Sequence, residues 1–152
     1  MKAILSHTAG GPDTLEYTNI SINEPKSDQI RICVKAAGVN FPDTLIIRDL
    51  YQIKPPRPFS PGGEVAGIIE RIGSDVKDFE IGDRVLAVPG YGGFVTHINV
   101  PAVTAVKIPK NMPFTLAPNA FPISIAAAPT PPEAPRINSV SPAFNSARSR
   151  SA

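Results

Sequence analysis

The sequence predicts a mainly β domain, a small barrel or sandwich, over residues 1–114, followed by a segment of different character. Two observations carry this prediction. Short runs rich in Val and Ile recur between residues 29 and 108, and Gly and Pro separate them, as turns separate strands. Only one stretch of this region carries the signals of a helix, and that stretch is short.

The first predicted strand covers residues 29–36, where apolar and polar side chains alternate. Its two faces would carry Ile30, Ile32 and Val34 on one side and Arg31, Cys33 and Lys35 on the other. Further strands are predicted over 64–73, 83–88, 94–100 and 103–108. The helix is predicted over 40–50, because Asn40 suits an N-cap and Pro42 suits the first turn.

Composition limits the classes of function. The net charge is only +2, so no nucleic-acid or membrane-surface partner is expected. Residues 111–132 carry no charge, but six prolines interrupt them and exclude a membrane-spanning helix. Cys33 is the only cysteine, which favours a reducing compartment, and no hydrophobic leader follows Met1. A cytoplasmic protein is therefore expected.

The last part of the chain, residues 115–152, is rich in Ala, Pro and Ser and contains no glycine. This composition cannot bury enough apolar surface to offset the entropy of ordering, so the segment is predicted to be a disordered tail. A GC-rich gene translated out of frame yields a similar composition. We therefore keep open the hypothesis of a frameshifted or mis-spliced product, which the other two reading frames of the coding DNA would test.

Three segments carry a resemblance to a known family. AAGVNFPD (36–43), PGGEVAG (61–67) and GDRV (82–85), in this order, resemble the GroES-like N-terminal domain of the medium-chain dehydrogenases/reductases, in particular the zinc-independent NADPH:quinone oxidoreductases. The resemblance runs from Met1 to about Phe114. It implies a partly open β-barrel that forms one wall of an active-site cleft, a following Rossmann domain that binds NADPH, and a quinone or enone substrate.

The same resemblance assigns roles to residues of the cleft. It implies that Asn40 faces the nicotinamide and the substrate and that Tyr51 lines the cleft, where an amide and a phenol can donate hydrogen bonds to a carbonyl. From the residues alone, Asn40 would be a helix cap and Tyr51 a half-buried aromatic. Zinc-dependent relatives carry zinc ligands where this chain has Asn40 and Gly63, so no zinc, catalytic or otherwise stoichiometric, is expected.

Two acids beside these positions are interpreted as structural. Glu64 is expected at a tight bend, held by backbone N–H groups or by a basic neighbour, and Asp43 is expected in the first turn of the helix, where the helix dipole favours it. Cys33 is interpreted as a structural or incidental cysteine. His7 and His97 are expected to stand alone as surface or packing residues.

The expected Rossmann motif has no counterpart in this sequence, whose last glycine is Gly93. We therefore expect a chain that is truncated before the nucleotide-binding domain and inactive alone. Two alternatives stay open. One is a non-catalytic GroES-like binding module, with self-association through the exposed inter-domain face, and the other is a non-functional product. An apolar surface at that face would favour the enzyme lineage, and a polar surface would favour an evolved module.

Overall fold

The computed structural model describes residues 1–120, which form a mainly β fold, as predicted. A two-stranded antiparallel sheet pairs β1 (Lys2–Ser6) with β2 (Leu15–Asn19). A five-stranded antiparallel sheet has the order β6-β3-β4-β5-β7. Its strands, in chain order, are β3 (Gln29–Gly38), β4 (Glu64–Ile72), β5 (Arg84–Ala87), β6 (His97–Pro101) and β7 (Ala105–Lys107).

The two sheets do not close into a continuous barrel. Single bridges, Ala3 with Val95 and Ser6 with Phe59, attach β1 to the loops that precede β6 and β4. The arrangement agrees with the predicted partly open, GroES-like architecture. The strands β1 and β2 were not predicted, although Ala3 and Leu5 alternate as buried residues along β1.

The main core lies on one face of the five-stranded sheet. Its fully buried members come from four neighbouring strands and are Ile30, Ile32, Val65, Ile69, Val85, Ala87 and Val100. Strand β4 approaches β3 so closely that a methyl group on Gly67 would overlap the carbonyl oxygen of Cys33. This close approach brings the side chains of the two strands together on both faces of the sheet.

Arg31 differs from its predicted setting. It was expected on the polar face of its strand, but it is buried, with 7% of its surface exposed. Its Nε donates to Asn99 Oδ1 at 3.1 Å, and its Nη2 donates to the carbonyl oxygen of Asn23. Arg31 can be buried on the polar face of β3 because its guanidinium donates hydrogen bonds to these two oxygen atoms.

The helices are short. Helix α1 (Phe41–Ile46) lies within the predicted range of 40–50 but ends earlier, and 3₁₀ turns cover Pro12–Thr14 and Ala102–Thr104. Helix α2 (Ala117–Ala120) follows the last strand. No helix of the described region is long and apolar enough to cross a lipid bilayer.

The packed structure continues past residue 114, where the tail was predicted to begin. Ala117 is fully buried and packs with Ala66, Leu86 and Ile108 in a second apolar cluster. The start of α2 therefore belongs to the domain. The predicted disorder of the rest of the tail concerns residues that lie outside the described part of the chain.

Candidate functional site

The motifs that carry the resemblance meet where β3 ends and β4 begins. Gly38 pairs with Glu64 across the two strands, and Asn40 precedes α1 with extended backbone angles, φ −117° and ψ 159°. We call this group the junction and define it as Gly38, Asn40, Asp43, Gly62, Gly63 and Glu64. Four of the five predicted site residues, all except Tyr51, are therefore brought together by a strand pair and one helix start.

Asp43 connects the two halves of the junction. It is buried, with 7% exposed surface; its Oδ2 accepts a hydrogen bond from the backbone N–H of Asn40 at 2.7 Å, and its Oδ1 accepts one from the backbone N–H of Gly62 at 3.0 Å. Hydrogen bonds of backbone N–H groups to a buried carboxylate are strong, because the acceptor is charged. Asp43 therefore fixes the loop before β4 against α1, a role beyond the favourable helix dipole that the sequence indicated.

The two glycines of the PGG turn differ. Gly62 has φ +97°, and a methyl group on it would lie 2.5 Å from the Phe94 ring. Gly63 has no such constraint, since its nearest neighbour, the carbonyl oxygen of Gly90, would lie at 3.4 Å. The turn therefore requires glycine at position 62, while position 63 has room for a side chain.

Asn40 and Glu64 share the space over Gly38. A methyl group on Gly38 would lie 3.2 Å from Glu64 Oε2, 3.4 Å from Asn40 Nδ2 and 3.2 Å from Pro118 Cβ. The amide and the carboxylate thus lie beside the start of α2. Glu64 was expected to have a backbone or basic donor, but within residues 1–118 no hydrogen bond or ion pair reaches its carboxylate.

Tyr51 lies in a different group. It is half-buried against the cluster of Ile46, Ile47 and Phe59 that anchors the end of α1. The contacts described for Tyr51 are with this cluster, and none of them joins it to the junction. The structure thus brings Asn40 together with Glu64, but not with Tyr51.

His7 is exposed and His97 partly exposed, as expected of surface residues, but neither stands alone, because each has an acidic neighbour. Nε2 of His7 lies 3.3 Å from Glu16 Oε2, and Nε2 of His97 lies 3.3 Å from Glu70 Oε2. Cys33 lies beside the second pair, with all three ligand-type atoms within 4.8 Å of one another. We call Cys33, Glu70 and His97 the three-strand cluster. Sequence reasoning missed it because its members meet only through strand register.

Asp83 and Lys107, which have shifted pKa values, belong neither to the junction nor to the three-strand cluster. A hydrogen bond from Lys107, with Nζ 2.8 Å from Asp83 Oδ2, lowers the pKa of Asp83, and the backbone N–H of Glu80 adds to this effect. The same hydrogen bond with Asp83 raises the pKa of Lys107. This exposed pair links β5 to β7.

Comparison with known proteins gives the family. Residues 26–110 match the alcohol dehydrogenase GroES-like domain family. The chain is 35% identical over 128 residues to the synaptic vesicle membrane protein VAT-1 homolog-like of Mus musculus, which covers 84% of this chain and 30% of the relative. It is 36% identical over 116 residues to the quinone oxidoreductase of Sus scrofa, and the aligned residues cover 75% of this chain and 35% of the relative.

A solved structure supports the same assignment. The crystal structure of Escherichia coli quinone oxidoreductase complexed with NADPH aligns with a TM-score of 0.72 and 33% identity, over 80% of this chain and 37% of the other. The chain thus spans about a third of the length of the relatives that it matches. The chain belongs to the alcohol dehydrogenase GroES-like domain family and carries the form of that domain found in the quinone oxidoreductases of the medium-chain dehydrogenase/reductase superfamily.

Proposed function

We propose that this domain is the substrate-side wall of the active site of a zinc-independent, NADPH-dependent quinone or enone reductase. The names of the matched proteins support the reaction class, and one matched structure is a complex with NADPH. The proposed setting is the cytoplasm.

The exposed apolar side chains beside Asn40 and Tyr51 carry this proposal. Val39 and Phe41, on either side of Asn40, are 75% and 73% exposed, and Leu50, next to Tyr51, is 69% exposed. Large apolar side chains that are exposed together mark a surface that another body covers. An evolved free-standing module would carry polar residues there, so this observation favours the enzyme lineage over the binding module.

The proposed chemistry is polarisation of a carbonyl by hydrogen-bond donors. NADPH supplies a hydride when it is bound, and the protein must hold the acceptor carbonyl in place and stabilise the charge that develops on its oxygen. Asn40 Nδ2 is the proposed donor. Asp43 fixes the backbone of Asn40, so the region that the amide can reach is limited before a substrate arrives. Tyr51 would contribute a phenol from the neighbouring cluster.

Metal polarisation is not part of the proposal. A catalytic zinc needs about three protein ligands and an open position. At the junction, positions 40 and 63 are Asn and Gly, and both carboxylate oxygens of Asp43 already accept backbone hydrogen bonds. Glu64 alone is left there, which is too few ligands for a zinc ion.

The dinucleotide itself does not fit the residues described. A pyrophosphate site needs a glycine-rich turn between a strand and a helix, and the glycines near residue 90 lie between strands β5 and β6 instead. We propose that a separate nucleotide-binding domain holds the cofactor. The unfused chain should then bind NADPH in the millimolar range or more weakly, because a few hydrogen bonds of about 1 kcal/mol each do not offset its immobilisation.

A chimera tests this function. Residues 1–120 would be fused to the nucleotide-binding domain of the E. coli quinone oxidoreductase, and oxidation of NADPH would be followed with 1,4-naphthoquinone and with an enone. We expect turnover by the chimera and none by either half alone. Tyr51→Phe should lower turnover, whereas Tyr17→Phe, on the exposed strand β2, should not. A folded chimera that binds NADPH but reduces neither substrate would contradict the proposal.

The exposed apolar face also allows self-association, the second candidate. In that case the purified full chain would be a dimer whose formation is weakened by Phe41→Ser. Sedimentation equilibrium of both proteins separates this outcome from a monomer that awaits a second domain.

A further inference from the structure

Three neighbouring strands place a cysteine, a histidine and a glutamate on one side of the sheet. Cys33 of β3 pairs directly with His97 of β6, and on the other side Cys33 pairs with Ile68 of β4. Glu70 is an extra residue of β4 at a register shift, between Ile69, which pairs with Ile32, and Arg71, which pairs with Arg31. The ligand-type atoms of Cys33, Glu70 and His97 all lie within 4.8 Å of one another.

The spacing of these atoms is close to that of a tetrahedral metal site. With metal–nitrogen and metal–oxygen bonds of about 2.0–2.1 Å, tetrahedral angles place the two ligand atoms about 3.3 Å apart, and a thiolate about 3.6 Å from either. His97 Nε2 and Glu70 Oε2 are 3.3 Å apart. The thiol sulfur lies within 4.8 Å of both atoms, so it has to approach them by no more than about 1.2 Å to complete three of the four corners.

The ring of His97 is already oriented for ligation. Its Nδ1 lies 3.0 Å from Thr96 Oγ1, and that hydroxyl oxygen accepts a hydrogen bond from the backbone N–H of Lys2 at 3.1 Å. In the tautomer in which Nδ1–H donates to this oxygen, the bond fixes the ring and leaves the lone pair of Nε2 free to bind a metal, as the outer partners of ligating histidines do. Thr96 is thus a positioning residue for the cluster.

Two arginines beside the cluster share one acid. Arg31, two residues before Cys33 on β3, lies 3.9 Å from Glu24, and Arg71, the residue after Glu70 on β4, lies 2.7 Å from it. Arg31 also donates to Asn99. The cluster itself is partly exposed, with 32% and 42% of the His97 and Glu70 side chains accessible, so an ion can enter from solvent. A fourth position would be open to water.

We propose that Cys33, Glu70 and His97 bind one divalent transition-metal ion of the borderline-soft class, such as Zn²⁺. A thiolate, an imidazole and a carboxylate are the donors that suit Zn²⁺, and three protein ligands with an open position form a sufficient site. This inference replaces the expectation that the chain holds no stoichiometric zinc. It does not concern the junction, whose Asn40 and Gly63 offer no ligand.

The chain contains its own control. The pair of His7 and Glu16 has the same 3.3 Å separation between Nε2 and Oε2 as the pair of His97 and Glu70, but no cysteine completes it. If a histidine–glutamate pair at this distance were enough to bind the ion, both places would bind. If the thiolate is required, only the three-strand cluster binds.

The test is a titration of the full 152-residue chain with Co²⁺ and Zn²⁺ under a phosphine reductant. We expect one Co²⁺ per chain, with a thiolate-to-cobalt charge-transfer band in the near ultraviolet, displaced by one equivalent of Zn²⁺. Cys33→Ser should abolish the band, and His97→Ala or Glu70→Gln should weaken affinity about tenfold or more. Thr96→Val should weaken it less, and His7→Ala should leave it unchanged.

Several results would overturn the inference. These are the absence of saturable binding, an unchanged affinity in Cys33→Ser, an equal loss in His7→Ala, or a stoichiometry of one ion per two chains. Circular dichroism of each variant checks folding. If Cys33→Ser does not fold, Glu70→Gln decides the question instead, since that side chain is exposed and supports no core contact.

Discussion

The junction and the three-strand cluster both include residues of β3 and β4, yet they differ in how they are built. The junction is held by a buried carboxylate that accepts two backbone hydrogen bonds, and its members lie in short motifs between positions 38 and 64. The cluster consists of partly exposed side chains that face one another, and its members are spread from position 33 to 97. The junction is held by hydrogen bonds to the backbone, whereas the three-strand cluster consists of surface side chains that the sheet positions.

This difference predicts which substitutions damage the domain. Changes at Gly62 and Asp43 of the junction should cost folding free energy, because they force the chain out of its conformation or leave buried backbone groups unpaired. Changes in the cluster should cost little, because exposed ion pairs contribute only about 0–1 kcal/mol.

The largest effect is expected at Gly62. Gly62→Ala places a methyl group 2.5 Å from Phe94 at a residue with φ +97°, and should lower the free energy of unfolding by about 3 kcal/mol. Gly63→Ala, one residue on, should change it by less than about 0.5 kcal/mol. Urea unfolding of both variants measures the difference, and equal losses would show that the turn does not have the described backbone.

The second-largest effect is expected at Asp43. Asp43→Ala removes the acceptor of the Asn40 and Gly62 N–H groups, and we expect a loss of about 2 kcal/mol in urea unfolding. Asp13→Ala is the control, because Asp13 is also an acid in the first turn of a short helix but is exposed. A similar small loss in both variants would mean that Asp43 acts only through the helix dipole.

Substitutions in the three-strand cluster should change the free energy of unfolding very little. Without added metal, Glu70→Gln removes an exposed partner of His97 and should cost at most about 1 kcal/mol. With one equivalent of Zn²⁺ the gap between variant and wild type should widen, because an ion that binds only the folded state stabilises it. Thermal unfolding of both proteins with and without Zn²⁺ measures this difference in stability. A difference that is the same with and without Zn²⁺ would contradict metal binding by the three-strand cluster.

The smallest effect concerns the exposed pair of Asp83 and Lys107. The pKa of Asp83 is lowered, so its contribution is present above 3.8 and is lost as pH falls through the lowered pKa. The pKa of Lys107 is raised, so its contribution is present below 10.5 and is lost as pH rises through the raised pKa. Lys107→Met should therefore be slightly destabilising only between these limits.

High salt should remove this difference, because the pair is exposed. Lys110→Met serves as the control, since within residues 1–118 no ion pair involves Lys110. Unfolding midpoints across pH and ionic strength provide the measurement. A difference that persists in strong salt or in acid would show that Lys107 stabilises the fold by packing, for instance against Phe79, and not by charge.

The sequence predicted what depends on neighbours along the chain. The five strands of the larger sheet and the start of α1 follow from local alternation, Gly and Pro, and each was placed within a few residues. Strand β1 was missed although two of its apolar residues are buried, and β2 was missed because it has no buried residue to mark it. The burial of Ala117, beyond Phe114, depends on β4 and β5, which no local pattern reports.

The functional residues likewise divide into those that local motifs predict and those that only the folded sheet brings together. Asn40, Asp43 and Glu64 belong to motifs that the resemblance identifies, so their proximity was foreseeable, but the second hydrogen bond of Asp43 required the turn geometry at Gly62. The three-strand cluster was not foreseeable. A shift of one residue in the β3–β6 register would point His97 away from Cys33, and register is a property of the folded sheet.

The central claim is that Asn40 faces the substrate, and the most direct test is the kinetics of Asn40→Ala in the chimera of residues 1–120 with a nucleotide-binding domain. We predict that kcat/KM for quinone falls roughly 10- to 100-fold, mostly through kcat, because the lost hydrogen bond stabilises the transition state. Asn19→Ala, at the exposed end of β2, should keep the wild-type value. An Asn40→Ala chimera that is folded and reduces quinone as fast as the parent would contradict the account.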